Sequence, residues 1–349
     1  MRISTERTPI EGDRCHASLA QRAVGRLSYS PQVEMASWRE QIKEKLVELL
    51  GMDQIRRNAC PPDPREEERL ETPSYTRIRF VFDSERDTPV PCYLLIPKQG
   101  PGPFPLAVAL QGHTTGVHIS LGETKYEGDQ EQVPNNSLAL QAVENGYACL
   151  CIEQRGLGER VSAKSRVDGY GRCKFPALTA FMLGRTVIGE RVWDIMRALD
   201  VVLGEFSCID PAKILITGNS GGGTASFYAA CLDERLGICA PSCSFSPYKT
   251  SIMPMGHCPC NYLPQALNWF EMQDLACRIA PRRLIVAAGT QDGIFPLEGV
   301  RRGFEVVRQI YARLGVEDRC ELIVTPHGHH WCPDRMWPAI ARHARELGW

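Results

Sequence analysis

The sequence has little of what marks membrane, secreted or nucleic-acid-binding proteins. Within its 349 residues, no run reaches the roughly 18 apolar residues that a membrane-spanning helix needs. The first residues, MRISTERTPIEGDR, lack the apolar segment of a secretion signal. The formal net charge is -1, so there is no basic excess that favours nucleic acid or anionic membranes as partners. We therefore expect a cytoplasmic protein with neither kind of partner.

Cysteine is abundant, with 15 residues, but the C-x-x-C spacing of structural zinc sites is missing. Without a secretion signal, these cysteines are expected to be reduced thiols packed as small apolar side chains. One suggestive cluster is His257-Cys258-Pro259-Cys260, which precedes further His and Cys residues at 327, 329, 330 and 332. For this segment we favour a packed or hydrogen-bonded loop over a metal site.

The order of apolar runs predicts an α/β protein. With 43% hydrophobic and 23% charged residues, the chain can bury a core. Residues 1–74 are expected to form an N-terminal arm with a helix at about 33–50, followed by a surface linker at 61–73. Residues 75–349 alternate strand and helix patterns, which predicts a mostly parallel sheet with helices on both faces. Two irregular loop or cap segments, about 156–184 and 244–280, interrupt this alternation.

The segment 213–232, KILITGNSGGGTASFYAACL, is the most informative stretch. A β-branched run leads into Gly218-Asn219-Ser220-Gly221-Gly222, which matches the G-x-S-x-G nucleophile elbow, and a small-residue helix follows. An ordinary Gly/Ser turn is the alternative. A dinucleotide-binding loop is disfavoured because Ser220 stands where the second glycine of G-x-G-x-x-G is required.

Two further polar residue types follow later apolar runs. Asp292 comes after the predicted strand at 284–288, and His327, His329 and His330 come after the strand at 321–324. Because the carboxyl ends of parallel strands meet at one edge of a sheet, these side chains are expected near Ser220. The order Ser, Asp, His is that of the α/β-hydrolases.

These residue types have defined roles in acyl transfer. A serine hydroxyl needs an imidazole to take its proton, and a carboxylate must orient that imidazole. We assign Ser220 as nucleophile, Asp292 as the orienting carboxylate and His329 as the base, with His330 and His327 as alternatives. The backbone N–H groups of His113, in Gln111-Gly112-His113, and of Gly221 are the expected oxyanion hole.

Together these motifs, with Glu153-Gln154-Arg155-Gly156-Leu157-Gly158, resemble the α/β-hydrolase superfamily over about residues 75–349. The resemblance is strongest to dienelactone-hydrolase-like and acetyl xylan esterase-like serine esterases. It implies a sheet of about eight strands and an acyl-serine intermediate, without a metal or an organic cofactor.

The predicted activity is hydrolysis of a small carboxylic ester, with deacetylation of a sugar or a related polar acetate favoured. Hydrolysis of an amide or carbon–carbon bond on the same triad stays open, as does a non-catalytic protein that binds a ligand in the same pocket. The sequence specifies neither the acyl and alcohol groups of the substrate nor whether the chain forms a homo-oligomer.

Overall fold

The computed structural model describes residues 11–163, 165 and 172–349. Part of the predicted irregular segment 156–184 therefore lies outside the described residues. The described α-helices are α1 Arg14–Arg22, α2 Met35–Leu50, α3 Met52–Arg56, α4 Asp129–Asn136, α5 Leu138–Glu144, α6 Lys174–Met182, α7 Val187–Glu205, α8 Gly221–Leu232, α9 Leu297–Arg313 and α10 Pro333–Glu346. The strands are β1 Arg65–Glu71, β2 Tyr75–Glu85, β3 Thr88–Pro97, β4 Phe104–Leu110, β5 Ala148–Ile152, β6 Ile209–Asn219, β7 Ile238–Ser242, β8 Arg283–Gly289 and β9 Cys320–Thr325.

The predicted helix of the N-terminal arm is confirmed by α2. Its first turn is capped by the Glu34 carboxylate, which accepts hydrogen bonds from the amides of Ala36 and Ser37. Gly51 ends the helix in the left-handed conformation, with φ 75°. The apolar side of α2 packs into the main core, so this helix of the arm is part of the folded body.

The described strands form one sheet in the order β1-β2-β3-β5-β4-β6-β7-β8-β9. The pairs β1/β2, β2/β3 and β3/β5 are antiparallel, and the other five pairs are parallel. The predicted mostly parallel sheet is confirmed, with nine strands where about eight were expected. The difference arises because residues 65–71, expected as linker, pair with β2 as an exposed edge strand.

The core lies on both faces of the sheet because strand side chains alternate in direction. In β4, Leu106, Val108 and Leu110 face the cluster that includes residues of α2, α7, α8 and α9. Ala107 and Ala109 face the opposite cluster, formed with residues of α5 and α10. Layered in this way, the fold brings the carboxyl ends of β4, β6, β8 and β9 to one edge.

The segment 244–280 is irregular, as predicted. It contains four short 3₁₀ turns: Tyr248–Thr250, Pro259–Asn261, Ala266–Asn268 and Met272–Arg278. Among the helices of the described ranges, none has the length and apolar character needed to cross a membrane.

Candidate active site

Ser220 sits at a sharp corner between β6 and α8. Its φ of 54° and ψ of -123° are rare for a residue with a side chain, and such strained geometry is typical of functional sites. The corner is held by a hydrogen bond of 2.9 Å from the Ser220 amide to the carbonyl of Ser242 on β7.

Close backbone packing explains the glycines around the serine. A Cβ atom on Gly218 would lie 2.5 Å from the carbonyl oxygen of Leu110, and one on Gly222 would lie 2.1 Å from the same atom. Either contact would force β6, α8 and β4 apart. The glycines thus let the helix begin directly against β4, which presents Ser220 at the edge of the sheet.

The structure brings Asp292 and His329 into contact. His329 Nδ1 lies 2.9 Å from Asp292 Oδ2, and the other oxygen, Oδ1, accepts hydrogen bonds from the amides of Ile294 at 2.8 Å and Phe295 at 3.0 Å. Burial raises the pKa of Asp292, but the His329 hydrogen bond and charge and the two amides outweigh it, so the pKa lies below its ordinary value. Asp292 is therefore ionised at neutral pH and holds the imidazole of His329 in a fixed orientation.

The two competing histidines lie differently. Among the described residues, neither His327 nor His330 has a hydrogen bond to Asp292; their rings lie 5.0 Å apart, centre to centre. The ring of His329 stacks on Phe295 with an interplanar angle of 10°. The geometry thus favours His329 over its neighbours as the base.

Ser220 and His329 line the same cavity of about 600 Å³. Within the described part of the chain, the Ser220 hydroxyl has no hydrogen bond to His329. Catalytic hydrogen bonds are often long in unliganded sites and shorten when the substrate binds. The arrangement places the Ser220 side chain and an oriented imidazole in one cavity.

The predicted oxyanion donors lie next to this corner. A Cβ on Gly112 would lie 3.2 Å from the Ser220 Cβ, so the loop after β4 runs against Ser220. No protein acceptor in the described ranges takes the N–H of His113 or that of Gly221. Both amides are therefore available to a ligand oxygen, and their role in the oxyanion hole stays a prediction.

Cys243 is another nucleophilic side chain close to His329. Its sulfur belongs to a group with Asp292 and His329 whose ligand atoms lie within 4.8 Å of one another. However, Cys243 is 2% exposed, and burial raises its pKa to about 12. It is therefore a thiol at neutral pH and does not compete with Ser220.

Sequence reasoning missed the polar wall that faces the serine. Four side chains of α4 line the cavity, namely Glu131, Gln132, Asn135 and Asn136. In the sequence they follow no strand and match no motif, so they look like the solvated face of a helix. Their proximity to Ser220 is set by tertiary packing.

The Cys258/Cys260 pair does not join the later histidines. It lies instead beside His113, from the loop after β4, and Cys173, which precedes α6. His113 Nε2 is 3.0 Å from Cys260 Sγ, and the Cys258 and Cys260 sulfurs are 3.3 Å apart. The grouping of Cys258 and Cys260 with residues 327–332, considered from the sequence, is therefore not what the structure shows.

The motif around Arg155 has a structural role in this chain. The Arg155 guanidinium forms buried ion pairs with Glu85, Asp194 and Glu190 at 2.6, 2.9 and 3.3 Å. Arg160 reaches Asp194 at 2.7 Å. These contacts fix the chain after β5 to α7 and to the end of β2.

Comparison with solved structures identifies the architecture. A protein from Bacteroides fragilis NCTC 9343, described as a "putative acetyl xylan esterase", superposes with a TM-score of 0.76 at 17% identity, over 93% of this chain and 85% of that chain. This chain has the α/β-hydrolase fold. The predicted fold, with its resemblance to acetyl xylan esterases, is confirmed.

Two further α/β-hydrolase-fold structures agree over nearly the whole chain. A glucuronoyl esterase from Solibacter usitatus gives a TM-score of 0.64 at 15% identity, covering 93% of this chain and 97% of that chain. An acetyl xylan esterase from Paenibacillus sp. R4 gives 0.58 at 20% identity, covering 94% and 98%.

A curated protein is also similar in sequence. "Putative hydrolase YtaP" of Bacillus subtilis (strain 168) is 26% identical over 295 residues, covering 83% of this chain and 94% of that protein. No protein-family model matches the chain.

Proposed function

We propose that this protein is a serine ester hydrolase that works through an acyl-serine intermediate. One observation carries the proposal: Ser220, in strained elbow geometry, shares a cavity with an imidazole that a buried carboxylate orients. The names of the structural neighbours, acetyl xylan esterase and glucuronoyl esterase, are consistent with this chemistry.

The residues divide the reaction between them. His329 Nε2 takes the Ser220 proton as Oγ attacks the ester carbonyl, and the imidazolium then protonates the departing alcohol. A water molecule then gives its proton to His329 and attacks the carbonyl of the acyl-serine, which releases the acid and restores the Ser220 hydroxyl. The amides of His113 and Gly221 stabilise the tetrahedral oxyanion, and the N-terminus of α8 adds its partial positive charge.

The cavity lining favours a polar, uncharged substrate. Amide side chains dominate one wall, and neither lysine nor arginine is among the described lining residues. Such a wall can hydrogen-bond sugar hydroxyls but offers no cation to hold a carboxylate or a phosphate. An acetylated sugar is therefore the favoured substrate class.

The test is hydrolysis of p-nitrophenyl acetate and of peracetylated xylose by wild type and three variants. We expect Ser220→Ala and His329→Ala each to lose at least three orders of magnitude in kcat, because each removes a member of the triad. His327→Ala is the matched control and keeps most of the activity. Activity that survives Ser220→Ala would remove that residue as nucleophile.

Two alternatives remain distinguishable. A fluorophosphonate probe labels an activated serine, so absence of labelling at Ser220 would favour a non-catalytic ligand-binding protein. If labelling occurs but acetate esters are not hydrolysed, a panel of amides and β-diketones tests hydrolysis of amide or carbon–carbon bonds on the same triad.

A further inference from the structure

Four potential metal ligands from three separate parts of the chain meet beside the elbow. They are the imidazole of His113 and the thiols of Cys173, Cys258 and Cys260, and their ligand atoms all lie within 4.8 Å of one another. In a tetrahedral site with Zn–S of about 2.3 Å and Zn–N of about 2.0 Å, ligand atoms lie about 3.5 to 3.8 Å apart. The separations of 3.0 Å from the His113 nitrogen to the Cys260 sulfur and 3.3 Å between the Cys258 and Cys260 sulfurs are close to that size.

The donor set itself selects the metal. Three thiolates and one imidazole form the Cys₃His set of structural zinc sites, and soft sulfur ligands disfavour magnesium and calcium. Four protein ligands leave no open position, so the site is of the closed, structural kind. The other triplets of potential ligands in the described ranges lack a fourth donor.

A buried arginine supplies the charge balance that such a site needs. Arg191 is 1% exposed, and its guanidinium lies 3.5 Å from the Cys260 sulfur and 3.4 Å from the Cys173 sulfur. Among the described residues it has no carboxylate partner, and its remaining hydrogen bonds go to the carbonyl of Arg155. Neutral thiols would leave this buried cation uncompensated.

We propose that His113, Cys173, Cys258 and Cys260 bind one structural Zn²⁺ ion. Binding displaces one proton from each of the three thiols, so zinc with three thiolates and a neutral imidazole carries a net charge of about -1. Arg191 neutralises that charge through N–H···S contacts, which are the outer-shell contacts expected around zinc thiolates. This replaces the sequence-based expectation of a packed loop without metal.

The position of the site explains what the ion does. It ties the loop after β4 to the start of α6 and to the segment 244–280; the loop and the segment border the cavity that contains Ser220, and the start of α6 borders an adjoining cavity. The imidazole of His113 also lies against Gly221, where a Cβ would meet the ring at 2.7 Å. Zinc thereby fixes the loop whose backbone we propose as an oxyanion donor; this consequence rests on the proposed function, whereas the zinc site itself does not.

The experiment measures metal rather than activity. Protein expressed with added ZnSO₄ and passed through a desalting column is expected to hold one zinc per chain by inductively coupled plasma mass spectrometry. Replacement by Co²⁺ is expected to give the visible absorption of tetrahedral cobalt and a thiolate-to-metal charge-transfer band. Removal by a chelator is expected to lower the Tm of the wild-type chain.

Variants assign the ligands. Cys258→Ser, at a half-buried position, and Cys260→Ser are expected to lower the zinc content at least fivefold, while Cys15→Ser, an exposed cysteine outside the cluster, keeps one zinc per chain. Two results would overturn the proposal: wild-type protein that neither contains zinc nor competes for it with a colorimetric chelator, or bound zinc that Cys258→Ser and Cys260→Ser leave unchanged. Both are read without any substrate, so a failed esterase proposal and a failed zinc proposal are distinguishable.

Discussion

Replacing Asp292 by asparagine tests the proposed role of His329 as the base, because it exchanges one carboxylate oxygen for an NH₂ group. In the wild-type protein Oδ1 accepts two backbone N–H groups and Oδ2 faces His329 Nδ1. The asparagine oxygen must keep the Oδ1 position, because only an acceptor satisfies the amides of Ile294 and Phe295. Its NH₂ group then points at the imidazole.

The exchange of an acceptor for a donor opposite Nδ1 selects the wrong tautomer of the His329 imidazole. An NH₂ donor opposite Nδ1 makes Nδ1 an acceptor, so the proton of neutral His329 moves to Nε2. Nε2 can then no longer accept the proton of Ser220. The equivalent substitution in serine hydrolases with this triad lowers kcat by a factor on the order of 10⁴, or about 5.5 kcal/mol at about 1.36 kcal/mol per decade.

The assay is steady-state hydrolysis of p-nitrophenyl acetate, together with the rate of fluorophosphonate labelling. Both rates are expected to fall in Asp292→Asn, while circular dichroism shows the wild-type fold because the backbone hydrogen bonds are retained. Asp210→Asn is the matched control: its carboxylate also accepts a backbone amide, that of Ala212, but it lies at the start of β6. A loss of less than tenfold in kcat for Asp292→Asn would refute the assigned role.

Two further predictions concern stability. Gly222→Ala places a methyl group 2.1 Å from the Leu110 carbonyl oxygen and is expected to lower the free energy of unfolding in urea by at least about 2 kcal/mol. The control is Gly204→Ala, in open space on α7, which is expected to be neutral or to stabilise by up to about 1 kcal/mol. Equal effects of the two substitutions would contradict the close approach at the elbow. For Glu153, burial raises the pKa to about 7, partly opposed by the Val117 amide, so the protonated folded form is favoured. The contribution of Glu153 to the free energy of unfolding is therefore largest below about pH 4.5. It falls by roughly 3 kcal/mol as the pH rises through about 7. Glu153→Gln is expected to remove that loss between pH 5 and 8 in urea titrations, and an unchanged pH dependence would argue against it.

The fold could be predicted because its signals are local. Buried strands and amphipathic helices are visible as periodic apolar patterns, and the elbow is visible because a close backbone approach requires glycine at fixed positions such as Gly218 and Gly222. That Ser220, Asp292 and His329 lie near one another could then be predicted from the rule that the carboxyl ends of parallel strands meet at one edge of the sheet. The contact between Asp292 and His329 is consistent with that reasoning.

The features that the sequence did not reveal depend on contacts between residues far apart in the chain. Strand β1 is highly charged and was expected as linker because its pattern has no buried side; it is recognisable only once β2 offers a partner. Cys173 and His113 share no motif with Cys258 and Cys260, since the loop after β4, the residue before α6 and the segment 244–280 come together only in the folded chain. No spacing rule connects residues so far apart in the chain.

Strand β1 also limits how these molecules can associate. It is an outer strand of the sheet, and all seven of its residues are exposed, six of them charged, in the sequence REEERLE. An edge of this kind leaves unpaired N–H and C=O groups but surrounds them with six charged side chains, and the cost of removing those charges from water opposes pairing with a second copy. Edge-to-edge pairing of two sheets through β1 is therefore disfavoured, and the charged side chains of this strand oppose fibrous aggregation.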